Sequence, residues 1–473
     1  MPVTDKENDR LFLSLLRQRN ETNLVMKYTH LLGLCLAILV SGCLDQQISD
    51  EDILDQQLLA AISKTSPTAS YQHYILPGDD QLTSLPNIDP ANPITPDKIA
   101  LGRMLFFETG FGLKPRYSEL TGTYSCASCH VPSAGFTPGR FQGIADGGIG
   151  FGYSGEMRRK ESQYGSTDVD AQGVRALSMF NTAFVTNTLW SGTFGSQDNN
   201  VGLEEAWRTD TIAYVNELGY KALETQNIEN YVVHRMTINK QTITDLGYKE
   251  LFDQAFPDLS EEQRYSPIGG SFALSSYLRS LITNQAPFQR YLRGEESAMN
   301  DQEKKGAMLF FTKANCTSCH NGPAFNANTF QAVGVKDLYE IDGSLNTGSA
   351  DKRNRGRGGF TKDDRDNYRF KVPQLYNLRD ANFYFHGSSK NTLREVVEYF
   401  NNGVAENPNV PADQLSTNFH PLNLTNQEIE DLTTFLKSAL YDPEFTRFIP
   451  DQVMSGNCFP NNDLWSKQDI GCN

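Results

Sequence analysis

The chain has no stretch of five or more basic residues, and its net charge of −15 over 473 residues argues against a nucleic-acid partner. Acidity alone names no substrate. Only one long apolar run is present, Leu31 to Val40, and it is too short for a comfortable membrane span. No Asn-Gly pair sits convincingly between alternating apolar stretches, so little hairpin structure is expected. Cysteine is scarce at eight residues and histidine scarcer at seven, so each calls for a use. With 38% hydrophobic residues the chain can still bury a core unaided, and its length suggests two or three domains.

The apolar run follows Met26-Lys27 and ends in Ser41-Gly42-Cys43. A short basic start, an apolar stretch and small residues make a secretory signal over residues 1–43, with Met26 as the true start. Val40-Ser41-Gly42-Cys43 resembles a bacterial lipobox, in which the Cys receives lipid and becomes the mature N-terminus. The alternative is an uncleaved membrane anchor. Either way the globular part is expected outside the cytoplasm, in the periplasm, held at a membrane.

Four cysteines fall in two pentapeptides, Cys126-Ala-Ser-Cys129-His130 and Cys316-Thr-Ser-Cys319-His320. Paired Cys at this spacing can form thioethers with haem vinyl groups while the following imidazole turns onto the iron, which predicts two covalently bound haems c. A zinc site of two Cys-X-X-Cys knuckles is the alternative, and it would leave both His without a purpose. Gly102-Arg103-Met104-Leu105-Phe106-Phe107 precedes the first motif and Gly306-Ala307-Met308-Leu309-Phe310-Phe311 the second, a weak internal repeat. Cys35 and Cys43 belong to the signal. Cys458 and Cys472 remain, and in an oxidising compartment they most simply form a disulfide, free thiols being the other possibility.

The sequence divides into a polar, Pro-containing tether and lead-in (44–95), a first haem unit (96–290), a second (291–445) and a tail (446–473). A Gly-rich insertion around Gly143 to Gly155 reads as loop. Leu274, Tyr277, Leu278, Leu281 and Ile282 predict a one-faced amphipathic helix. Ser260 with Gln263 and Thr425 with Glu428 are helix starts, the second followed by a buried stripe of Ile429, Leu432 and Leu436. The expected fold class is mainly α: two cytochrome c-type haem domains packed together, with long loops and little β.

From Pro96 to Leu440 the chain resembles the bacterial di-haem cytochrome c peroxidases and their MauG-like relatives. The landmarks are the two haem motifs, Leu101 to Phe107, Met179-Phe180-Asn181 leading to Trp190, Phe370 to Asn377, Tyr384-Phe385-His386-Gly387 and Thr392 to Val397. The resemblance implies that the N-terminal haem reacts with peroxide and the C-terminal haem handles electrons, with His130 and His320 as proximal ligands. Trp190 matches the aromatic residue between the haems, although the usual Trp-Asp-Gly-Arg is here Trp190-Ser191-Gly192-Thr193. Classical members hold a second His on the peroxide haem, and no His lies between His130 and Trp190. An open iron and the MauG-like branch follow.

Classical members also use a Gln and, some ten residues later, a Glu. Gln226 matches the first, and the second falls near His234-Arg235. His234 is then the proton shuttle, Arg235 stabilises the departing oxygen, and Glu229 is the rival base. Where relatives place a Met or Tyr on the second haem this chain has Phe400 beside Tyr399. Tyr399 either ligates iron or packs against the haem. His386 is expected to bond a propionate or the backbone. The family's calcium-binding Asn aligns with Arg175, whose charge would repel the metal, although the carbonyls of Ala381 and Phe383 remain. The implied function is reduction of hydrogen peroxide to water by electrons from a small donor protein of cytochrome c or cupredoxin type. A MauG-like oxidase of a protein or organic substrate, and a purely electron-carrying di-haem cytochrome, are the alternatives.

Overall fold

Two hydrophobic cores, one beside each Cys-X-X-Cys-His motif, organise the computed structural model, which describes residues 50–472 and their side chains from 53. The signal, Met26 and Cys43 lie outside the described residues. Helix α1 is Asp50–Thr65, α2 Pro96–Phe107, α3 Ala222–Val233, α4 Pro267–Ser280, α5 Asp301–Phe311, α6 Leu393–Asn402, α7 Asn426–Thr434 and α8 Leu464–Ile470. Shorter helices and 3-10 turns join them. The strands are two-residue pieces: β1 (Gly148–Ile149) pairs antiparallel with β2 (Arg159–Lys160), and β3 (Phe330–Gln331) with β4 (Phe370–Lys371). The protein is therefore mainly α, and among the described residues no helix is long and apolar enough to cross a membrane.

The internal repeat folds twice into the same crossing. Thr95 caps α2 and Asn300, with Glu303, caps α5, so both repeats begin with satisfied N–H groups. Midway along α2, Gly102 lies so close to α4 that an added Cβ would stand 2.0 Å from the Ala273 carbonyl oxygen. On α5, Gly306 meets α7 in the same way, 2.0 Å from the Asp431 carbonyl oxygen. Glycine is needed at both points because backbone, which cannot move aside, faces it.

Two readings need revision. The lead-in is not a tether from residue 55 onward: Leu58, Ile62, Tyr74, Leu76, Leu85 and Ile94 are buried in the second core. Tyr74 lies 5.4 Å and 5.3 Å from the rings of Phe311 and Phe325. Its aromatic and aliphatic residues, diluted among polar ones, were enough to drive burial. Helix α4 is not one-faced, because Gly269 through Ser280 are all buried; its Gly, Ala and Ser residues let α2 and α3 close on both sides. The Gly143 to Gly155 segment is loop apart from the two residues of β1, as expected, yet largely buried, and the tail holds it: Asp463 accepts from the Gly150 N–H at 3.0 Å and Asp469 from the Phe151 N–H at 2.8 Å.

The tail packs on the first core. Phe448, Val453 and Phe459 join it, Cys458 and Cys472 are disulfide-bonded, and Ser125 donates to the Pro460 carbonyl at 2.9 Å. Each core is thus completed by the segment from the far end of the chain. Residues Asp55–Asn473 form one compact unit. The Thr425–Glu428 capping box and the buried Ile429, Leu432 and Leu436 stand as expected, while Ser260 caps only the four-residue helix Glu261–Arg264.

Candidate functional site: two haem-type loops and a histidine-carboxylate pair

The two motifs adopt one conformation. Each begins a single 3-10 turn, Cys126–Ser128 and Cys316–Ser318, and the N–H of each His donates to the carbonyl of the first Cys, at 3.1 Å for His130 and 2.9 Å for His320. Nδ1 of His130 donates to the Phe136 carbonyl at 3.2 Å, and Nδ1 of His320 to the Phe325 carbonyl at 2.6 Å. Both acceptors are Phe residues in the left-handed region, φ 53° and 55°, a conformation costly for a bulky residue and kept in both copies. Fixing Nδ1 this way sets the tautomer and leaves Nε2 free for a metal. Burial pushes the His130 imidazole down to about 4 and lowers that of His320, so both rings are neutral, as iron ligands must be.

Cys126, Cys129 and Cys316 suit thioether chemistry better than zinc. Burial pushes Cys126 and Cys316 up to about 12 and raises Cys129 as well, which disfavours the thiolates zinc requires. Among the described residues no three His, Cys, Asp or Glu side chains gather to hold a metal ion. An imidazole held through Nδ1 beside a Cys pair fits a haem at each loop.

His234 and Arg235 sit just past the end of α3, and what they meet is set by the loop beneath. Residues 144 and 171 form an antiparallel bridge, with Ala145 N–H to Asp170 O and Asp170 N–H to Asp146 O both at 2.9 Å. That pairing puts Asp146 and Asp170 side by side under two consecutive side chains. His234 Nδ1 donates to Asp170 at 2.9 Å, and Arg235 pairs with Asp146, which also accepts from the Tyr164 hydroxyl at 2.6 Å. Burial lowers the His234 pKa, but the Asp170 charge and hydrogen bond outweigh it and the net direction is up. The charge of His234 is felt at His130. Asp146 and Asp170 were missed in the sequence, where one Asp in a Gly-rich stretch and another beyond it carry no signal.

Gln226 is half-buried and lies eight residues before His234, about 12 Å along the helix direction at 1.5 Å per residue. Glu229 is buried with one oxygen unpartnered, and burial raises its pKa. The structure therefore gathers His234 and Arg235 with two carboxylates, and holds Gln226 and Glu229 apart from them on α3.

Trp190 is half-buried at the seam between the cores. Its indole N–H donates to the Arg175 carbonyl at 2.6 Å, and its ring lies 6.2 Å from His386 and 6.3 Å from Phe370. His386 bonds neither backbone nor an open position through Nε2, as expected of it, but Asp337 Oδ1 at 2.9 Å, and it stacks on Phe370 at 3.6 Å. A buried carboxylate within reach takes the ring nitrogen first. On α6 the Tyr399 hydroxyl donates to the Val333 carbonyl at 2.6 Å, burial raises its pKa, and its ring packs among Phe385, Phe400 and Phe419. Near the aligned calcium position the Arg175 guanidinium donates to Thr137 Oγ1 and the Pro138 carbonyl, and this buried cation does not fit a divalent ion beside it.

The description of the family whose model matches residues 96–297 is di-haem cytochrome c peroxidase. The methylamine utilization protein MauG of Methylorubrum extorquens is 29% identical over 359 residues, 75% of this chain and 81% of that one. The cytochrome c551 peroxidase of Nitrosomonas europaea is 27% identical over 362 residues, covering 76% and 85%. The crystal structure of a MauG-like protein associated with microbial copper homeostasis shares the fold, with a TM-score of 0.53 and 24% identity over 79% of this chain and 95% of that one. With both motifs folded alike and each imidazole held through Nδ1, the chain resembles the di-haem cytochrome c peroxidases and MauG-like proteins over three quarters of its length, and is an oxidoreductase of the peroxidase type.

Proposed function

We propose that the protein reduces hydrogen peroxide to water with electrons from a small redox protein of cytochrome c or cupredoxin type, in the periplasm and anchored by lipid on Cys43. In this reading Cys126 with Cys129 and Cys316 with Cys319 hold the two haems covalently, and His130 and His320 are the proximal ligands. When bound, the haem supplies an iron that takes the peroxide and passes electrons. The chain's own task is to move protons and steer electrons. His234, with Nδ1 committed to Asp170, has one ring nitrogen left to take a proton from one peroxide oxygen and return it to the other. Arg235, oriented by Asp146, offers its remaining N–H groups to the departing oxygen. Gln226 is an auxiliary donor from α3. Trp190 is the aromatic step between the halves, and Tyr399 a second-haem ligand only if it releases Val333.

The observation that carries this reading is the His234–Asp170 pair, 2.9 Å long and electrostatically coupled to the His130 side. It is tested by peroxide consumption of purified holoprotein with a reduced cytochrome c or cupredoxin. His234→Gln should slow turnover by about two to four orders of magnitude with haem content unchanged. Unchanged turnover would remove the relay; no turnover with any donor would remove the peroxidase. The MauG-like reading, oxidation of a protein or organic substrate, draws support from the 29% identity to MauG and the absence of His between His130 and Trp190. A partner protein modified only when this chain is present would favour it. Fractionation of Cys43→Ser, which should move from membrane to soluble periplasm, tests the anchor.

A further inference from the structure

The two halves keep register well beyond the haem-type loops. Asn181 and Asn377, at left-handed φ of 58° and 54°, hold equivalent places, and six residues before each stand Arg175 and Lys371. The turn Thr188 to Phe194 matches the turn Tyr384 to Lys390, each closed by an antiparallel bridge, so that Trp190 and His386 correspond. The main chain joins these pairs reciprocally: Arg175 N–H donates to the His386 carbonyl and Lys371 N–H to the Trp190 carbonyl, both at 2.8 Å.

Both cations are buried, Arg175 3% exposed and Lys371 4%. Three other buried cations have carboxylates: Arg158 has Asp463 at 3.5 Å, Lys304 has Asp55 at 2.9 Å, and Arg279 has Glu224, while Lys98 donates to Asn92 Oδ1 and the Pro93 carbonyl. Arg357 lacks an ion pair but donates to the Ser191, Gly192 and Asn199 carbonyls and to Asn200 Oδ1, and lies over Phe330 and Phe360. Arg175 has only Thr137 Oγ1 at 2.9 Å and the Pro138 carbonyl at 3.0 Å, with Nε unpartnered. Lys371 has only the Asn187 carbonyl, at 2.6 Å. No carboxylate among the described residues pairs with either. A buried charge without a counter-charge is costly, and the same cost appears at equivalent positions in both repeats.

We propose that Arg175 and Lys371 are carboxylate sites for the prosthetic groups, Arg175 taking a propionate of the porphyrin at Cys126, Cys129 and His130, and Lys371 one of the porphyrin at Cys316, Cys319 and His320. This rests on the reading that both loops carry haem. A cation held against each propionate offsets a negative charge near the iron and so favours the reduced state. Each cation acts as a positioning and tuning residue for its own haem.

The test begins with a haem count on purified wild-type holoprotein, followed by a redox titration in which each haem is followed at its own absorption band. Lys371→Gln should lower the reduction equilibrium of the His320 haem at least tenfold, about 59 mV for one electron, and leave the other within twofold. Arg175→Gln should do the reverse. Lys371→Arg and Arg175→Lys should stay near wild type. If the Gln variants accumulate without haem while the charge-preserving ones load both, the charge requirement stands; equal loss in both kinds overturns it. Two haems with unmoved potentials in both Gln variants overturn the assignment alone, whereas wild-type protein with no haem overturns the reading beneath it as well.

Discussion

At the scale of single residues the role proposed for His234 ties turnover to its pair with Asp170. Its histidine pKa is raised, so the stability contributed by the charged pair is fully present below the ordinary histidine value near 6.5 and is lost as pH rises through the raised folded value. As a proton acceptor His234 must be neutral, so turnover should rise with pH through that same raised value. Asp170→Asn removes the charge and leaves burial, which lowers the pKa. The acid limb of the pH–rate profile should therefore move to lower pH, and a profile that stays in place would show that His234 does not titrate in turnover. Tyr399 makes a second case. As a packed ring with one carbonyl bond, it should cost about 1 kcal/mol of stability when changed to Phe, leaving the haem spectrum as it was. A changed spectrum would assign it to the iron instead.

At the scale of elements, the paired helix crossings hold the two loops in place. Gly306→Ala gains up to about 1 kcal/mol of helix propensity, but its Cβ would fall 2.0 Å from the Asp431 oxygen and 2.7 Å from its carbon, both backbone. Sterics win, because α7 cannot yield without losing its own packing. A net loss of about 1–3 kcal/mol is expected in urea denaturation, and Gly102→Ala on α2 should behave alike against Ala273. The repeated Gly-X-Met-Leu-Phe-Phe segment was legible in the sequence because duplication preserves close-packing residues. The seam bridges of Trp190 and His386 were not legible, since a turn defined by main-chain pairing leaves no residue pattern.

At the scale of the whole molecule, the chain ends cross over: the lead-in completes the core around the second loop, and the tail completes the core around the first. The tail touches the first loop directly, with Ser128 bonded to Asn461 and Asn462 N–H donating to the Thr123 carbonyl at 3.0 Å. Removing the Cys458–Cys472 link, which closes a loop with a sequence separation of 14, should cost about 3 kcal/mol in the chain-entropy model. Hydrogen exchange of a Cys458→Ser, Cys472→Ser variant should show the loss at residues 101–107 and 123–128. Equal loss across 301–311 would mean that the tail does not serve the first core alone.

The sequence by itself determined the paired Cys-X-X-Cys-His loops, the duplication and the mainly helical class, because these reside in spacing: two Cys and a His in five residues, and an apolar repeat that only helices satisfy. It also carried the tail disulfide, through the count of cysteines left over. Tertiary structure alone decided which carboxylates stand under His234 and Arg235, that the lead-in is core and not tether, and that Arg175 and Lys371 lie buried with no counter-charge among the described residues. Those facts depend on which distant segments share a surface, and a charge reveals its cost only where water has been excluded from it.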